Sequence, residues 1–155
     1  MLKIKIITIG GVKEKSYNGL INEFLKRLRP YAKVEILELK AESFKRESDK
    51  EKAKKIEGER ILKSIEKCGH TRIFLLEEEG REFNSLEFAN FLEKDTREII
   101  FVIAGTLGFS LKVKEKIKIS VSLSRLTFPH EMARVVLFEQ IYRGITINKN
   151  KKYHY

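Results

Sequence analysis

Apolar positions recur along the chain with two alternating periods, one of strands and one of helices. Leu2, Ile4, Ile6, Ile7 and Ile9 predict a first strand. Tyr17, Leu20, Ile21, Phe24, Leu25 and Leu28 then follow at the spacing of a helix face, with Ser16 as N-cap and Pro30 just past the end. Residues 34–39 predict a second strand. Residues 48–67 predict a helix with a sparse stripe of Ala53, Ile56, Ile61, Leu62 and Ile65, a solvated charged face, and Gly69 as its stop. A third strand at 72–76 runs into Glu77, Glu78, Glu79 and Gly80. Asn84 or Ser85 caps a helix holding Leu86, Ala89, Phe91 and Leu92. Residues 99–104 form the most continuous apolar run, as a strand covered on both faces requires. After Gly105 and Gly108 comes a short lysine-rich helical piece at 110–116, and Ile117, Ile119 and Val121 then alternate as a fifth strand. Pro129 opens a last helix with almost no polar face, which must be covered on more than one side.

Five strands interleaved with helices predict an α/β fold, one domain over residues 1–155, with a mostly parallel sheet and helices on both faces. Ligands of such sheets sit at the carboxyl ends of strands, so the segments after Leu76, Ala104 and Val121 are the places to look. Composition narrows the class. The 155 residues are 42% apolar and 35% charged, which excludes long disorder and collagen-like repeats. No apolar run approaches a membrane span, and Lys3 and Lys5 interrupt what would be a signal-peptide core, so the expected location is the cytoplasm. Cys68 stands alone and can form neither an internal disulfide nor a cysteine-rich zinc site. A net charge of +10 suits a polyanionic partner such as nucleic acid and serves solubility equally well.

The three strand ends and the tail carry the candidate chemistry. A carboxylate among Glu77, Glu78 and Glu79 can accept from a ribose, or form a surface turn. Gly105 and Gly108 let backbone approach a ligand, or make an ordinary tight turn; they match neither the dinucleotide nor the phosphate-loop pattern. The loop from Ser122 to His130 joins small hydroxyls, apolar residues and a proline, a composition suited to wrapping an amphipathic ligand. His130, in the first turn of the last helix, is either catalytic or structural. The closing Lys151, Lys152, Tyr153, His154 and Tyr155 read either as a frayed basic tail or as groups that stack on an unpaired base and neutralise its phosphates.

Nearly the whole chain resembles one family, the SPOUT-class 23S rRNA pseudouridine-N3 methyltransferases of the RlmH type. The likeness is carried by residues 101–110, by Ser122 to His130 with its Pro-His pair, by Glu139-Gln140-Ile141-Tyr142-Arg143, and by the closing Tyr153-His154-Tyr155. It departs from the family pattern at Ala104, where a glycine is usual, and at Thr106 and Leu107. The resemblance implies a SPOUT (α/β-knot) fold with a C-terminal trefoil knot, and a homodimer whose second copy covers the over-apolar last helix. It implies S-adenosylmethionine as cofactor, held by Leu76, Gly105, Ser124, Arg125, Leu126, Thr127, Phe128 and Pro129. His130, Arg143, Tyr153 and His154, drawn from both subunits, would surround a pseudouridine of 23S rRNA in the assembled ribosome. No metal or membrane is implied. N3 would attack the sulfonium methyl, with His154 or His130 taking the imide proton and Arg143 holding charge on the carbonyl oxygens. Other targets compatible with the pattern are another rRNA or a tRNA base, and a basic RNA-binding module without catalysis is the non-enzymatic rival.

Overall fold

The computed structural model describes residues 1–94 and 96–155. In chain order the elements are β1 (Leu2–Ile9), α1 (Lys15–Leu28), β2 (Ala32–Leu39), a 3-10 turn (Glu47–Asp49), α2 (Lys50–Ile65), β3 (Thr71–Glu82), α3 (Ser85–Glu93), β4 (Glu98–Ile103), α4 (Leu111–Lys116), β5 (Ser120–Ser122) and α5 (His130–Asn148). The strands pair in the order β2-β1-β4-β3-β5, every pair parallel. Register follows the apolar alternation: Ile6 of β1 and Phe74 of β3 both stand opposite Phe101 of β4. Because side chains alternate between faces, Ile4, Ile6, Ile99, Phe101 and Ile103 pack against α1, α3 and α5. Ile7, Ile9, Leu75, Ile100 and Val102 pack against α2 and α4. Residues 99–102 of β4 are completely buried, so its unbroken apolar run reflects cover on both faces.

Local signals place several boundaries. Asn84 caps α3 in a capping box, its side chain accepting from the Glu87 N–H at 2.9 Å while Glu87 accepts from the Asn84 N–H at 2.8 Å. The Ser110 hydroxyl caps α4 by accepting from the Val113 N–H. At the far end of α3, the Arg72 guanidinium donates to the carbonyls of Phe91 and Leu92 at 2.8 and 3.1 Å.

Other expectations are corrected. Ser16 does not cap α1, which begins one residue earlier; the Ser16 hydroxyl donates to Glu14. No side chain caps α1; the Glu131 carboxylate of α5 accepts from the backbone N–H groups of Lys13 and Glu14, just ahead of the helix, a contact from a residue remote in sequence. Leu20 and Leu86, assigned to core stripes, are exposed. Gly69 lies past the end of α2 and is not in the left-handed region. Glu57, on the supposedly solvated face of α2, is buried. The fifth strand is only three residues long: Ile117 is buried with α2 and α4, whereas Ile119 points to solvent, so the two belong to different environments and not to one strand face.

The third strand does not stop at Leu76. It runs to Glu82, and Val121 of β5 pairs first with Leu76 and again with Arg81, the residues between bulging out at the sheet edge. At the edge the acidic side chains reach water, which is why a run of glutamates can continue a strand. Gly80 makes the return possible. A Cβ there would lie 2.7 Å from both the amide nitrogen and the carbonyl carbon of Val121.

One buried cation ties the last helix to the sheet. Arg134 of α5, 2% exposed, donates to the Thr8 hydroxyl at 2.8 Å, the Gly10 carbonyl at 2.9 Å and the Glu38 carboxylate at 2.9 Å. Thr8 and Glu38 lie near the carboxyl ends of β1 and β2, and Gly10 just follows β1, so α5 starts at the same end of the sheet as the strand tips.

Gly80→Ala is expected to destabilise the protein by about 1–3 kcal/mol, because strand backbone, unlike a flexible side chain, must move to admit the methyl. Urea unfolding measures this, and an unchanged midpoint would show that β5 does not depend on the close crossing.

Candidate active site

The tips of β3, β4 and β5 surround a cavity of about 730 Å³. Leu76 and Glu77 enter it from β3, Ala104, Gly105, Thr106 and Gly108 from the turn after β4, and Ser124, Leu126, Thr127, Phe128, Pro129 and His130 from the loop after β5. The volume suits a nucleoside-sized ligand with an appended chain. Of the residues assigned to a cofactor, Arg125 is exposed and outside the lining, and the other seven line the cavity.

Each wall has a local cause. The turn after β4 closes with the Gly108 N–H donating to the Gly105 carbonyl at 3.1 Å, and Gly108 has φ of 77°, a conformation that favours glycine. A Cβ on Gly105 would press on Ile9 Cγ2 at 3.0 Å, so a larger residue would push the turn outward into the cavity. The loop after β5 folds on its own hydroxyls. Ser122 donates to the Ser124 carbonyl at 2.9 Å, and the Ser124 hydroxyl accepts from the Leu126 N–H at 3.0 Å. Leu126 is 72% exposed at the rim, leaving an apolar flap beside the opening. Glu77 is held by Lys114 of α4 at 3.0 Å, so among the three glutamates one is already committed to an ion pair.

A second cluster forms at the other end of α5. Glu139 Oε1 accepts from Arg143 Nε at 3.0 Å, from Arg143 Nη2, and from the Tyr153 hydroxyl at 3.2 Å, while Glu139 Oε2 accepts from Gln140. The Arg143 guanidinium lies 4.9 Å from the Tyr153 ring, and Tyr153 meets Tyr142 edge to face at 4.8 Å. The tail is therefore folded back on the helix. The Lys151 N–H donates to the Thr146 carbonyl at 2.9 Å, and Asn150 turns the chain with φ of 52°. Burial, and then the Glu139 carboxylate, raise the pKa of the Tyr153 phenol, which keeps it a proton donor at neutral pH. Arg143 Nη1 and His154 Nδ1 are 3.2 Å apart. A guanidinium has no lone pair to offer, so Nδ1 accepts and the ring proton sits on Nε2. His154 itself is exposed beside this network, and Tyr155 is wholly exposed.

His130 and the Arg143 cluster are not neighbours. Thirteen residues of helix separate them, roughly 20 Å along the axis. The structure thus groups His130 with the cavity and Arg143, Tyr153 and His154 with one another, at opposite ends of α5. Sequence reasoning passed over Glu139 as a partner, although its spacing of one helical turn from Arg143 was a usable signal. Among the described residues no three His, Cys, Asp or Glu side chains gather as a metal site would need, and no helix is long and apolar enough to cross a membrane.

Comparison with known proteins adds the following. Residues 2–154 match the model of a family described as predicted SPOUT methyltransferases. A protein of Symbiobacterium thermophilum named ribosomal RNA large subunit methyltransferase H is 37% identical, over 99% of both chains. One of the same name from Streptococcus pneumoniae is 41% identical, again over 99% of both. A crystal structure of a candidate RNA methyltransferase from Bacillus anthracis superposes with a TM-score of 0.56 at 13% identity, covering 92% of this chain and 94% of that one, a likeness of fold alone.

Removing the hub of the tail tests the cluster. Glu139→Ala is expected to speed hydrogen exchange at the amides of Lys151 and Tyr153 about tenfold, since four charge-assisted bonds go with it, the one from Tyr153 among them. Unaltered exchange would mean that the tail is held by backbone contacts alone.

Proposed function

The chain belongs to the SPOUT methyltransferase family, and from that premise we propose that it methylates N3 of a pseudouridine in 23S rRNA of the assembled ribosome, using S-adenosylmethionine. All 155 residues act as one catalytic domain, working in the cytoplasm as a homodimer. The observation that carries the reading is the cavity that three strand tips enclose with His130 at its side. The names of the full-length relatives support large-subunit rRNA as the substrate class. The net +10 supports phosphate contacts, which add affinity without reading sequence and weaken with salt. The trefoil threading of the C-terminal third belongs to the proposal as well. In its favour, β5 lies at the sheet edge beyond β3 while α5 returns to pack with α1 and α3.

The residues fit the cofactor. Leu76, Leu126 and Phe128 offer apolar walls, the turn at Gly105 brings backbone to the cavity, and Ser124 and Thr127 add polar groups. When bound, S-adenosylmethionine supplies a methyl group already activated by a positive sulfur. The protein must align the acceptor and remove its imide proton. While Arg143 donates to His154 Nδ1, the other ring nitrogen of His154 carries its proton and donates. We therefore assign proton acceptance to His130, with His154 Nε2–H and Arg143 bonding the carbonyl oxygens on which negative charge develops. Tyr153, kept protonated, stacks and donates. Because roughly 20 Å of helix separate His130 from Arg143, the tail that meets a given cavity comes from the second copy.

Mass analysis of nucleosides from 23S rRNA, after incubating purified ribosomes with the protein and S-adenosylmethionine, tests the reaction; transfer to a different base would overturn the target. Arg143→Ala is expected to lower kcat by about 100-fold or more while calorimetry finds cofactor affinity within about twofold of the parent, a change too small to reflect a lost contact. A large loss of cofactor binding would instead put Arg143 at the cavity. Deleting Tyr153, His154 and Tyr155 is expected to abolish methylation while the melting temperature stays within a few degrees, as for other surface changes. Full activity of the truncated chain would remove the tail from the site.

A further inference from the structure

Glu57 is the one carboxylate of α2 that is buried, 5% exposed, on the same side of the helix as Ala53 and Ile61. Its Oε1 accepts from the Glu42 N–H at 3.0 Å. Its Oε2 is sealed from solvent and has no hydrogen-bond partner among the described residues. The nearby cation does not complete it: Arg60 donates to the Glu42 carboxylate at 2.6 Å and to the Lys40 carbonyl at 2.8 Å. Glu57 is not in the lining of the cavity, but Gly105, which is, stands between the cavity and the unpartnered oxygen. A Cβ placed on Gly105 would stand 3.6 Å from Oε2, so the carboxylate lies directly under the glycine in the cavity floor. A buried carboxylate lacking a counter-charge is costly, and this one lies one glycine behind the wall of a space where a ligand can provide the charge across a low-dielectric gap.

We propose that Glu57 is a specificity-determining residue of the cofactor cavity, its carboxylate beneath Gly105 favouring a cationic sulfonium donor over the neutral thioether product. This inference rests on the reading of the cavity as the S-adenosylmethionine site. In the transfer, the bond from sulfur to the methyl carbon breaks with its electron pair remaining on sulfur. The new bond forms with the pair on the acceptor nitrogen, and the imide proton goes to the base. The ligand in the cavity thereby loses one positive charge. A fixed negative charge in a low-dielectric floor attracts the donor and is indifferent to the sulfur of the product, so the same group that retains the donor lets the product go. Because positive charge on sulfur fades as the methyl leaves, Glu57 acts on ground-state binding, and its loss is expected to raise the donor KM without lowering kcat.

The charge itself titrates. Burial raises the Glu57 pKa, opposed by the Glu42 N–H and by Arg60, while the Glu42 carboxylate adds to the rise and His130 of α5 opposes it. Lys54, on the same helix, lines the cavity. As pH falls through this raised value the carboxylate is neutralised, and preference for the donor is expected to fade. His130 is present in the parent and the variant alike, so the comparison between them is read at Glu57.

Calorimetric titration with S-adenosylmethionine and with S-adenosylhomocysteine, from pH 5 to 8, decides the matter. In Glu57→Gln, which keeps the bond to the Glu42 N–H, the ratio of donor to product affinity at pH 7.5 is expected to fall about tenfold. Homocysteine-ligand affinity should stay constant, and the parent should approach the variant's ratio in acid. Should Glu57→Gln fold poorly, the pH series on the parent protein alone carries the same test, with a flat ratio as the refuting result. A variant that keeps the parental ratio would end the role of Glu57 and leave the cofactor site intact. A parent protein that binds neither compound would instead overturn the cofactor reading, and the inference with it.

Discussion

The burial of one guanidinium sets the geometry of the catalytic end. Arg134 reaches from α5 to the Thr8 hydroxyl, the Gly10 carbonyl and the Glu38 carboxylate, bridging the ends of β1 and β2. A charge 2% exposed depends on its partners, engaged here through both terminal nitrogens while Nε has none among the described residues, and removing one partner of such a set costs about 3–5 kcal/mol. The position of α5 is therefore not free. Once Arg134 is docked, His130 one turn earlier must lie beside the strand tips, and Glu131 falls where it can hold the chain leading into α1. The loop from Leu123 to Pro129 is then suspended between two fixed points, β5 and the start of α5, which is why a segment without regular structure can form a wall.

On the proposed reading, the two groups of polar side chains on α5 would divide the labour of a methyl transfer. The amino end faces a cavity with backbone donors and apolar walls, suited to a neutral purine and its substituents. The carboxyl end gathers an arginine, a tyrosine and a histidine around Glu139, suited to an anionic, aromatic acceptor. Glu139 does more than neutralise Arg143. By taking two donors of that guanidinium and the Tyr153 hydroxyl on a single oxygen, it orients the remaining Arg143 nitrogen toward His154 and determines which nitrogen of the histidine carries the proton. The acidic hub thus decides that the histidine donates.

Much of the fold was legible because it depends on local chemistry. The apolar runs of β1 and β4, the capping box at Asn84 and Glu87, the Ser110 cap and Pro129 before α5 are written within a few residues of where they act. The three strand tips followed from parallel topology, and the cavity sits at them. Illegible features are those created by distant partners. Ser16 looked like a cap because local spacing cannot reveal that Glu131 would arrive at that helix end. The extent of β3 was hidden because glutamates at a sheet edge are solvated, and the need for glycine at position 80 comes from backbone brought in by Val121. Glu57 was lost in a lysine-rich and glutamate-rich helix, where only the three-dimensional neighbours of one carboxylate distinguish it from the rest.

α5 carries both groups on one uninterrupted rod, and this makes its length a functional quantity. Inserting or deleting a single residue between His130 and Arg143 would turn the second group by about 100° and shift it by about 1.5 Å relative to the first. Arg134 would hold the amino end in register, so the whole error would fall on the tail. Gaps in this stretch should accordingly be absent among relatives: the helix serves the enzyme as a ruler.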